Sequence, residues 1–505
     1  MDPLNEFYFH AAIYVLGLSW ALLALSPIGI GSCCVLAYPL GQAIWVSISI
    51  ALVLSPIPFT RDVLFGSVAS VMLAGTGLSL RTNWRGWDSP RSSPLRSPST
   101  AILFSGLFGA SAWLATRFSM TVWTNDSHAV LGIGRSIAHY GEIATTLGPE
   151  LASRGLFQAI LQGMSIFLDT PFLSANPAVL ALSATAAFLV LGLRGLAGPG
   201  RASTPAVALV VLTTAAISTP YFVIVQYFYL HETYAAGVYL LLAASCFWLA
   251  EIERNPAWLP FAFVFALALS WHRVETPLIT MIFLAMAIVP SRLPRCILNW
   301  GLAIHSSLVL VWLTILHGLR SAGDYHSIRG IKQVLTPQSI SLIALGVATA
   351  TLVIFALQHP RFAGLRTITP KLITGVLCVS LVPAFIWKFD LLSQGLMSTL
   401  TNMASLSWGG VWCAFLALGL MSVLLRRPPH SAILSLGPVA TLAFILLLAT
   451  QQHFRVSWAD SGNRMLTYLI PTYSFSLLMV YGWELLGIRA EPRADASVEH
   501  RHATH

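Results

Sequence analysis

The chain has few residues able to carry acid–base or charge-based chemistry, and they fall into four short polar segments. The first, 123–128, contains Asn125, Asp126 and His128. A carboxylate held at the start of a helix, just outside a membrane, can act as a general base towards a hydroxyl group. The alternative is that Asp126 only caps the helix that follows. That helix is predicted to end at Gly141.

Two further segments place ionisable residues where apolar stretches meet. His231 and Glu232 form one of them, and His272, Arg273 and Glu275 interrupt an otherwise apolar run to form the other. Ionisable residues at membrane depth are costly, so a hydrated functional cavity is the default hypothesis. The alternatives are an ordinary polar turn at His231 and Glu232, and a structural ion pair between Arg273 and Glu275.

The fourth segment leads into the last apolar stretch and contains Asp460, Asn463 and Arg464. Neither membrane topology nor the helix dipole favours a cation at the outer, N-terminal end of a helix. A nearby anion would explain Arg464, and a guanidinium forks well onto a phosphate. The alternative is a salt bridge from Arg464 to Asp460 or Glu232.

The composition indicates what surrounds these polar segments. Of the 505 residues, 56% are hydrophobic and 9% are charged, whereas soluble domains carry roughly 25% charged residues. So little charge cannot cover a soluble particle of this size, and the remaining surface must face lipid. The sequence therefore predicts an all-α, polytopic integral membrane protein.

Apolar runs of about 20 residues, the length that crosses a bilayer core, recur along the chain. The stretch 257–290 suits two short spans broken at 271–275, and 156–173 is either a span or an interfacial helix. The pattern predicts about 13–15 transmembrane helices, with amphipathic interfacial helices in the first large outer loop, 119–175. The other spans are expected near 10–28, 33–54, 63–80, 100–118, 176–194, 205–227, 233–250, 296–315, 339–357, 372–388, 406–425, 431–450 and 467–487.

Loop charge predicts the orientation of the chain. One set of alternate loops, which includes 81–99 and the C-terminal tail, holds 17 of the 28 Lys and Arg residues. Short basic loops stay in the cytoplasm. The opposite set holds 12 of the 19 acidic residues and all four polar segments. Function is therefore expected on the outer face.

Several functional classes are disfavoured. The net charge of +9 comes from basic residues dispersed at the ends of apolar segments, so a nucleic-acid partner is not expected. There is no phosphate-binding glycine loop, no dinucleotide fingerprint and no zinc spacing among the six cysteines. No cofactor is predicted with certainty, and a divalent cation held by Asp126, His231 and Glu232 stays open.

In chain order, the four segments resemble the GT-C superfamily of membrane glycosyltransferases. The resemblance covers about residues 100–490, preceded by N-terminal spans and a basic linker (1–99) and followed by a cytoplasmic tail (491–505). About three spans precede the first large outer loop, where the family usually has one, and a single acidic residue stands where many members have a pair. The matching elements are Asn125-Asp126, His231-Glu232, Arg273-Val274-Glu275 and Asn463-Arg464 before Pro471.

The resemblance implies an enzyme that takes a sugar from a polyprenyl-phosphate carrier and transfers it to a glycan or lipid acceptor of the cell envelope. It further implies the bacterial inner membrane, with a periplasmic active site and the membrane lipid as a partner. Asp126 would be the catalytic base, and Arg464, helped by Arg273, would bind the donor phosphate. Substrate contacts are expected from Asn125, His128, His231, Glu232, His272, Glu275 and Asn463.

Two other functions fit parts of the pattern. A transporter or flippase of a lipid-linked or small polar substrate would use the same intramembrane charges as a pathway. An envelope-glycan polymerase or ligase would rely on outer arginines, for which the loop 317–338 offers Arg320 and Arg329 with Lys332.

Overall fold

In the part of the chain that it describes, the computed structural model consists of helices joined by turns and loops, and its β-type contact is an isolated bridge between Val122 and Tyr229. The all-α prediction is therefore confirmed. Most of the predicted linker 81–99 and all of the tail 491–505 lie outside the described residues. The structure describes residues 3–83, 98–118, 121–144, 147, 151, 154–197, 203–230, 232–322, 336–405, 408–421, 432–450, 454–457 and 460–488.

The main helices are numbered here in chain order. The first ten are α1 Pro3–Ala21, α2 Ile30–Val53, α3 Arg61–Asn83, α4 Pro98–Phe118, α5 Asn125–Tyr140, α6 Phe157–Phe167, α7 Asn176–Ala197, α8 Thr204–Ser218, α9 Tyr221–Gln226 and α10 Glu232–Glu253. The others are α11 Leu259–Ser270, α12 Thr276–Ile288, α13 Arg295–Ala322, α14 Pro337–Leu357, α15 Thr369–Trp387, α16 Phe389–Ala404, α17 Val411–Met421, α18 Gly437–Leu448, α19 Ser461–Leu466 and α20 Leu469–Leu485.

Many of these helices have the length and composition of membrane spans. In the described ranges, ten helical segments of 19 to 28 residues are long and apolar enough to cross a bilayer. Shorter apolar helices, namely α8, α11, α12, α17 and α18, are interspersed with them along the chain. The protein is therefore a multi-pass membrane protein, and the ten helices of spanning length in the described ranges are fewer than the 13–15 predicted from the sequence.

Contacts between helix ends define two opposite ends of the bundle. Arg194, near the end of α7, pairs with Glu253 at the end of α10 and donates to the carbonyl of Ile28, just after α1. Helices α1, α7 and α10 therefore run in the same direction. We call the side where they finish the Arg194 end, and the side where they start the Asp126 end.

Helix α6 lies along the Asp126 end instead of crossing the bundle. At its start, the backbone N–H of Gln158 donates to Glu232, the first residue of α10, at 2.9 Å. At its finish, the carbonyl of Leu168 accepts from Asn5, near the start of α1, at 3.1 Å. Both ends thus contact the starts of parallel spans, so α6 is an interfacial helix. Of the two interpretations of 156–173, the span is wrong.

The apolar stretch 257–290 is broken as predicted. Helix α11 has 12 residues and α12 has 13, and residues 271–275 separate them. Thr276 helps to form this break, since its hydroxyl donates to the carbonyl of Arg273 at 2.7 Å and accepts from the N–H of Arg273 at 3.2 Å. Because of the break, the carbonyl of Trp271 has no partner within a helix. It accepts hydrogen bonds from the N–H groups of Leu156 and Phe157 at the start of α6.

Helices α5 and α6 approach each other very closely where two glycines face each other. A Cβ atom on Gly134 would lie 1.9 Å from the carbonyl oxygen of Ala159, and one on Gly163 would lie 2.4 Å from the carbonyl oxygen of Gly134. These neighbours are backbone atoms, which cannot rotate away. The crossing therefore requires glycine, and it ties the helix that carries Asp126 to α6.

We expect Gly134→Ala to destabilise the protein by about 1–3 kcal/mol, the usual cost of overpacking. The matched control is Gly132→Ala on the same helix, because a Cβ atom there meets nothing within 4 Å. That control should be as stable as the wild type or slightly more so, since alanine favours helix over glycine. Thermal unfolding in detergent measures both, and equal melting temperatures would contradict the packing.

Candidate active site

The segment before α5 is pinned to the loop before α10. The N–H of Val122 donates to the carbonyl of Phe228 at 2.9 Å. Thr124 then begins the helix with a capping box, in which its side chain accepts from the N–H of Ser127 and the hydroxyl of Ser127 accepts from the N–H of Thr124. The N-cap is therefore Thr124, and the interpretation of Asp126 as the cap is wrong. Gly141 ends the helix as predicted.

Asp126 lies in the first turn of α5 and is held by two guanidinium groups. Nη2 of Arg154 donates to Oδ1 of Asp126 at 2.7 Å, and Nη1 of Arg464 donates to Oδ2. The Asp126 side chain is 23% exposed, against 16% for Arg154 and 9% for Arg464. The anion predicted beside Arg464 is thus, in this state, the carboxylate of Asp126.

The two arginines decide the charge state of Asp126. Partial burial alone would raise the pKa of this carboxyl group, but Arg464 and Arg154 together outweigh that effect, with a smaller contribution from Arg273. The pKa of Asp126 therefore lies below its usual value. Asp126 is ionised at neutral pH, and the N-terminal end of α5 adds a favourable dipole.

Tyr229 connects the start of α5 to Arg464. Its hydroxyl accepts from Nη1 of Arg464 at 3.4 Å and lies 3.0 Å from Oγ1 of Thr124. Tyr229 is only 2% exposed. Its ring therefore fixes the spacing between the helix that carries Asp126 and the span that carries Arg464.

A second ion pair lies next to the first. Nε of Arg273 is 2.8 Å from Oε1 of Glu275, as in the structural alternative drawn from the sequence. Oε1 of Glu275 also accepts from the hydroxyl of Tyr468 at 3.2 Å. Tyr468 follows Arg464 by four residues, about one helical turn. The break between α11 and α12 is thereby brought beside Arg464.

Arg154, which the sequence analysis missed, is placed by the docking of α6. The carbonyl of Trp271 accepts from the N–H groups of Leu156 and Phe157 at 3.0 and 3.3 Å. Oε1 of Glu232 accepts from the next N–H group, that of Gln158, at 2.9 Å. The first N–H groups of α6, which have no partner within a helix, are thus satisfied by α10 and by the α11–α12 break.

Gly155 makes this docking possible. Its φ is +76°, and a Cβ atom there would lie 1.5 Å from the carbonyl oxygen of His272. Any other residue would push the chain away from the break. Arg154 directly precedes this point, so its backbone is held close to a rigid part of the membrane domain.

The remaining predicted residues occupy different positions. Glu232 and His272 are buried beneath the cluster, with Nε2 of His272 3.8 Å from Oε2 of Glu232 and its ring stacked on Phe157. Asn463 is buried and accepts from Nε1 of Trp408 at 3.0 Å. His128 is exposed and stacks on Trp123. His231 and the side chain of Asn125 lie outside the described residues.

An open cleft lies beside the segment before α5. It has a volume of about 420 Å³, within the usual range for ligand sites. Thr121 and Trp123 line it, whereas the side chain of Thr124 points to Tyr229. Successive residues of an extended chain face opposite sides. The cleft therefore lies across this segment from the Arg464 cluster.

The cluster suits an anion better than a metal ion. It contains three guanidinium groups, from Arg154, Arg273 and Arg464, and two carboxylates, from Asp126 and Glu275. No group of three His, Cys, Asp or Glu side chains within the described ranges has the arrangement of metal ligands. Both oxygens of Asp126 face arginines, so the residues present do not fit a divalent cation in this arrangement.

The low pKa of Asp126 predicts how stability depends on pH. Because the folded pKa lies below 3.8, the ion pairs stabilise the fold fully above that pH, and this stabilisation is lost as the pH falls through the folded pKa. At pH 7, the free energy of unfolding of Asp126→Asn should be about 1–3 kcal/mol lower than that of the wild type. Unfolding in detergent from pH 7 down to pH 3 checks this, and a difference that disappears well above 3.8 would contradict it.

Comparison with protein-family models, characterised proteins and solved structures finds no match to this chain. Its function is therefore inferred from the chemistry of the Asp126 cluster and from its position at one end of the membrane helices.

Proposed function

We propose that this protein is a membrane glycosyltransferase that uses a polyprenyl-phosphate sugar as donor and a glycan or lipid of the cell envelope as acceptor. The supporting observation is the excess of guanidinium groups over carboxylates around Asp126. Glu232 lies beneath α6 and outside this set of ion pairs, with Oε1 accepting from the N–H of Gln158 and Oε2 3.8 Å from Nε2 of His272. An anion that binds around Asp126 lies directly beside an ionised carboxylate.

The position of the cluster suits a lipid-linked donor. Arg464 belongs to α19, which opens a 24-residue apolar segment that runs from Gly462 to Leu485. A polyprenyl chain cannot leave the bilayer, so its phosphate must be met at the ends of the membrane helices. In the proposed reaction, Arg464 and Arg273 bind that phosphate as bidentate donors.

Asp126 is the proposed base. It removes the proton from the acceptor hydroxyl as the oxygen forms a bond to C1 of the sugar and the bond from C1 to the phosphate oxygen breaks. The leaving polyprenyl phosphate gains negative charge, which Arg464 and Arg273 stabilise. General-base catalysis of this kind contributes about 10²–10⁴-fold to the rate.

The cleft beside Trp123 is proposed to hold the body of the acceptor, whose reacting hydroxyl must reach past the segment before α5 to Asp126. The side chain of Trp123 is 37% exposed. Its ring packs against His128 and against Phe172, whose ring centroid lies 4.6 Å away. A supported, partly exposed indole ring offers an apolar face beside polar groups. Trp123 lies three positions before Asp126, so their Cα atoms are at most about 11 Å apart.

We expect Asp126→Asn to lower sugar transfer by at least 100-fold, because the amide cannot accept the proton. Binding of a polyprenyl-phosphate analogue should persist and become tighter, because the neutral amide no longer competes with the phosphate for Arg464. The matched control is Asp390→Asn, which alters an exposed aspartate in the first turn of α16 and should retain wild-type transfer. The assay uses purified protein in detergent, where a transporter has no gradient to work against.

Near-normal transfer by Asp126→Asn would remove Asp126 from the catalytic role. If the wild-type protein transfers sugar from no polyprenyl-phosphate donor, the proposal of an enzyme fails, and transport of a lipid-linked substrate becomes the better account of the cluster.

The proposed orientation puts the Asp126 end in the periplasm and the C-terminus in the cytoplasm of a bacterial inner membrane, following the loop charges. In a cysteine-free background, Tyr140→Cys should react with a membrane-impermeant maleimide in intact cells, since Tyr140 is exposed on α5. Arg292→Cys, at the exposed Arg194 end, should react only after permeabilisation. The reverse pattern would overturn the orientation.

A further inference from the structure

The arrangement of Asp126 raises a difficulty for a catalytic base. Oδ1 is occupied by Arg154 and Oδ2 by Arg464. Each carboxylate oxygen keeps a second lone pair, but two bound cations lower the pKa of the carboxyl group and weaken it as a base. Release of one arginine would strengthen Asp126 as the base of the reaction proposed above and would make room beside one of its oxygens for the acceptor hydroxyl.

Arg464 is the arginine placed to leave. It lies at the start of a membrane span, where the phosphate of the donor proposed above would bind. Tyr468 and Glu275 bring Arg273 next to it. A phosphate bound there contacts both guanidinium groups at once. It competes with the single carboxylate of Asp126 for the guanidinium N–H donors of Arg464.

Arg154 is the arginine placed to stay. It comes from the segment between spans, and its backbone is fixed by the docking of α6 on Trp271 and Glu232. Gly155, which follows it, packs directly against the carbonyl of His272. The Arg154 side chain approaches Asp126 from the loop, whereas Arg464 approaches it from the membrane helix.

We propose that Arg154 is a positioning residue that holds Oδ1 of Asp126 while the donor phosphate draws Arg464 away from Oδ2. This inference rests on the proposed glycosyltransferase reaction. Donor binding then strengthens the base, because Oδ2 loses its cation only once the phosphate is in place. The charged and titratable groups that face Asp126 are Arg464 from α19, Arg154 from the segment before α6 and Arg273 from the α11–α12 break.

The test compares Arg154→Ala, Arg154→Lys and Arg464→Ala. Arg154→Ala should bind a polyprenyl-phosphate analogue within about threefold of the wild type, while kcat falls about 10–100-fold because the carboxylate is misplaced. The acidic limb of its kcat–pH profile should move to higher pH, since removal of a neighbouring cation raises the pKa of a carboxyl group. Arg464→Ala should instead weaken analogue binding by tenfold or more.

Arg154→Lys separates charge from geometry. It keeps the cation, so the acidic limb should return towards its wild-type position, but it loses the guanidinium fork, so kcat should recover only in part. The control is Arg135→Ala on α5, an exposed arginine that donates to the carbonyl of Pro171. It should leave binding, kcat and the pH profile unchanged.

The outcomes distinguish the two proposals. A wild-type protein without transfer activity contradicts the proposed function. With wild-type transfer present, the role of Arg154 is contradicted if Arg154→Ala weakens analogue binding as much as Arg464→Ala does, because Arg154 is then a phosphate ligand. An unchanged acidic limb contradicts it as well. If Arg154→Ala does not fold, Arg154→Lys decides, since an unchanged kcat in that variant contradicts the need for the fork.

Discussion

The carboxylate of Asp126 joins three parts of the chain that are otherwise far apart in sequence. It binds the guanidinium of Arg154, from the loop before α6. It also binds the guanidinium of Arg464, at the start of α19 and 338 positions after Asp126 in the chain. A buried or half-buried carboxylate of this kind is stable only with such partners, because an unpaired charge beside a membrane is costly. The same requirement makes the site sensitive to any new anion. A phosphate that takes over one arginine changes both the geometry and the basicity of Asp126.

The docking of α6 gives this arrangement its rigidity. Loops between membrane spans are usually mobile, yet the start of α6 is fixed by three backbone N–H groups, two that donate to the carbonyl of Trp271 and one that donates to Glu232. Glu232 and His272, which the sequence suggested as substrate contacts, lie beneath the cluster. The break between α11 and α12 consequently has two roles. It presents Arg273 on one side and a carbonyl anchor for α6 on the other.

The sequence predicted the membrane class, the broken stretch around 271–275 and the end of α5 at Gly141, because apolar length and helix-ending signals are local properties. It also singled out Asp126, Arg273 and Arg464. It could not predict that Arg464 pairs with Asp126, since that contact depends on how the last span packs against the first outer helix. Arg154 was missed because it lies in a segment without periodicity, and only the positive φ of Gly155 shows why that segment is fixed. Asp126 was considered a cap because a carboxylate suits that position. The N-cap is Thr124, two residues earlier, and Ser127 completes the capping box.

The proposed mechanism requires a lipid-linked phosphate and Asp126 to compete for Arg464. A structure of the protein with a non-transferable polyprenyl-phosphate sugar analogue would reveal this competition. We expect the phosphate within hydrogen-bonding distance of Arg464 and Arg273, with Arg154 still paired to Oδ1 of Asp126 and Oδ2 no longer paired to Arg464. An analogue bound elsewhere, with the pair between Arg464 and Asp126 intact, would contradict it.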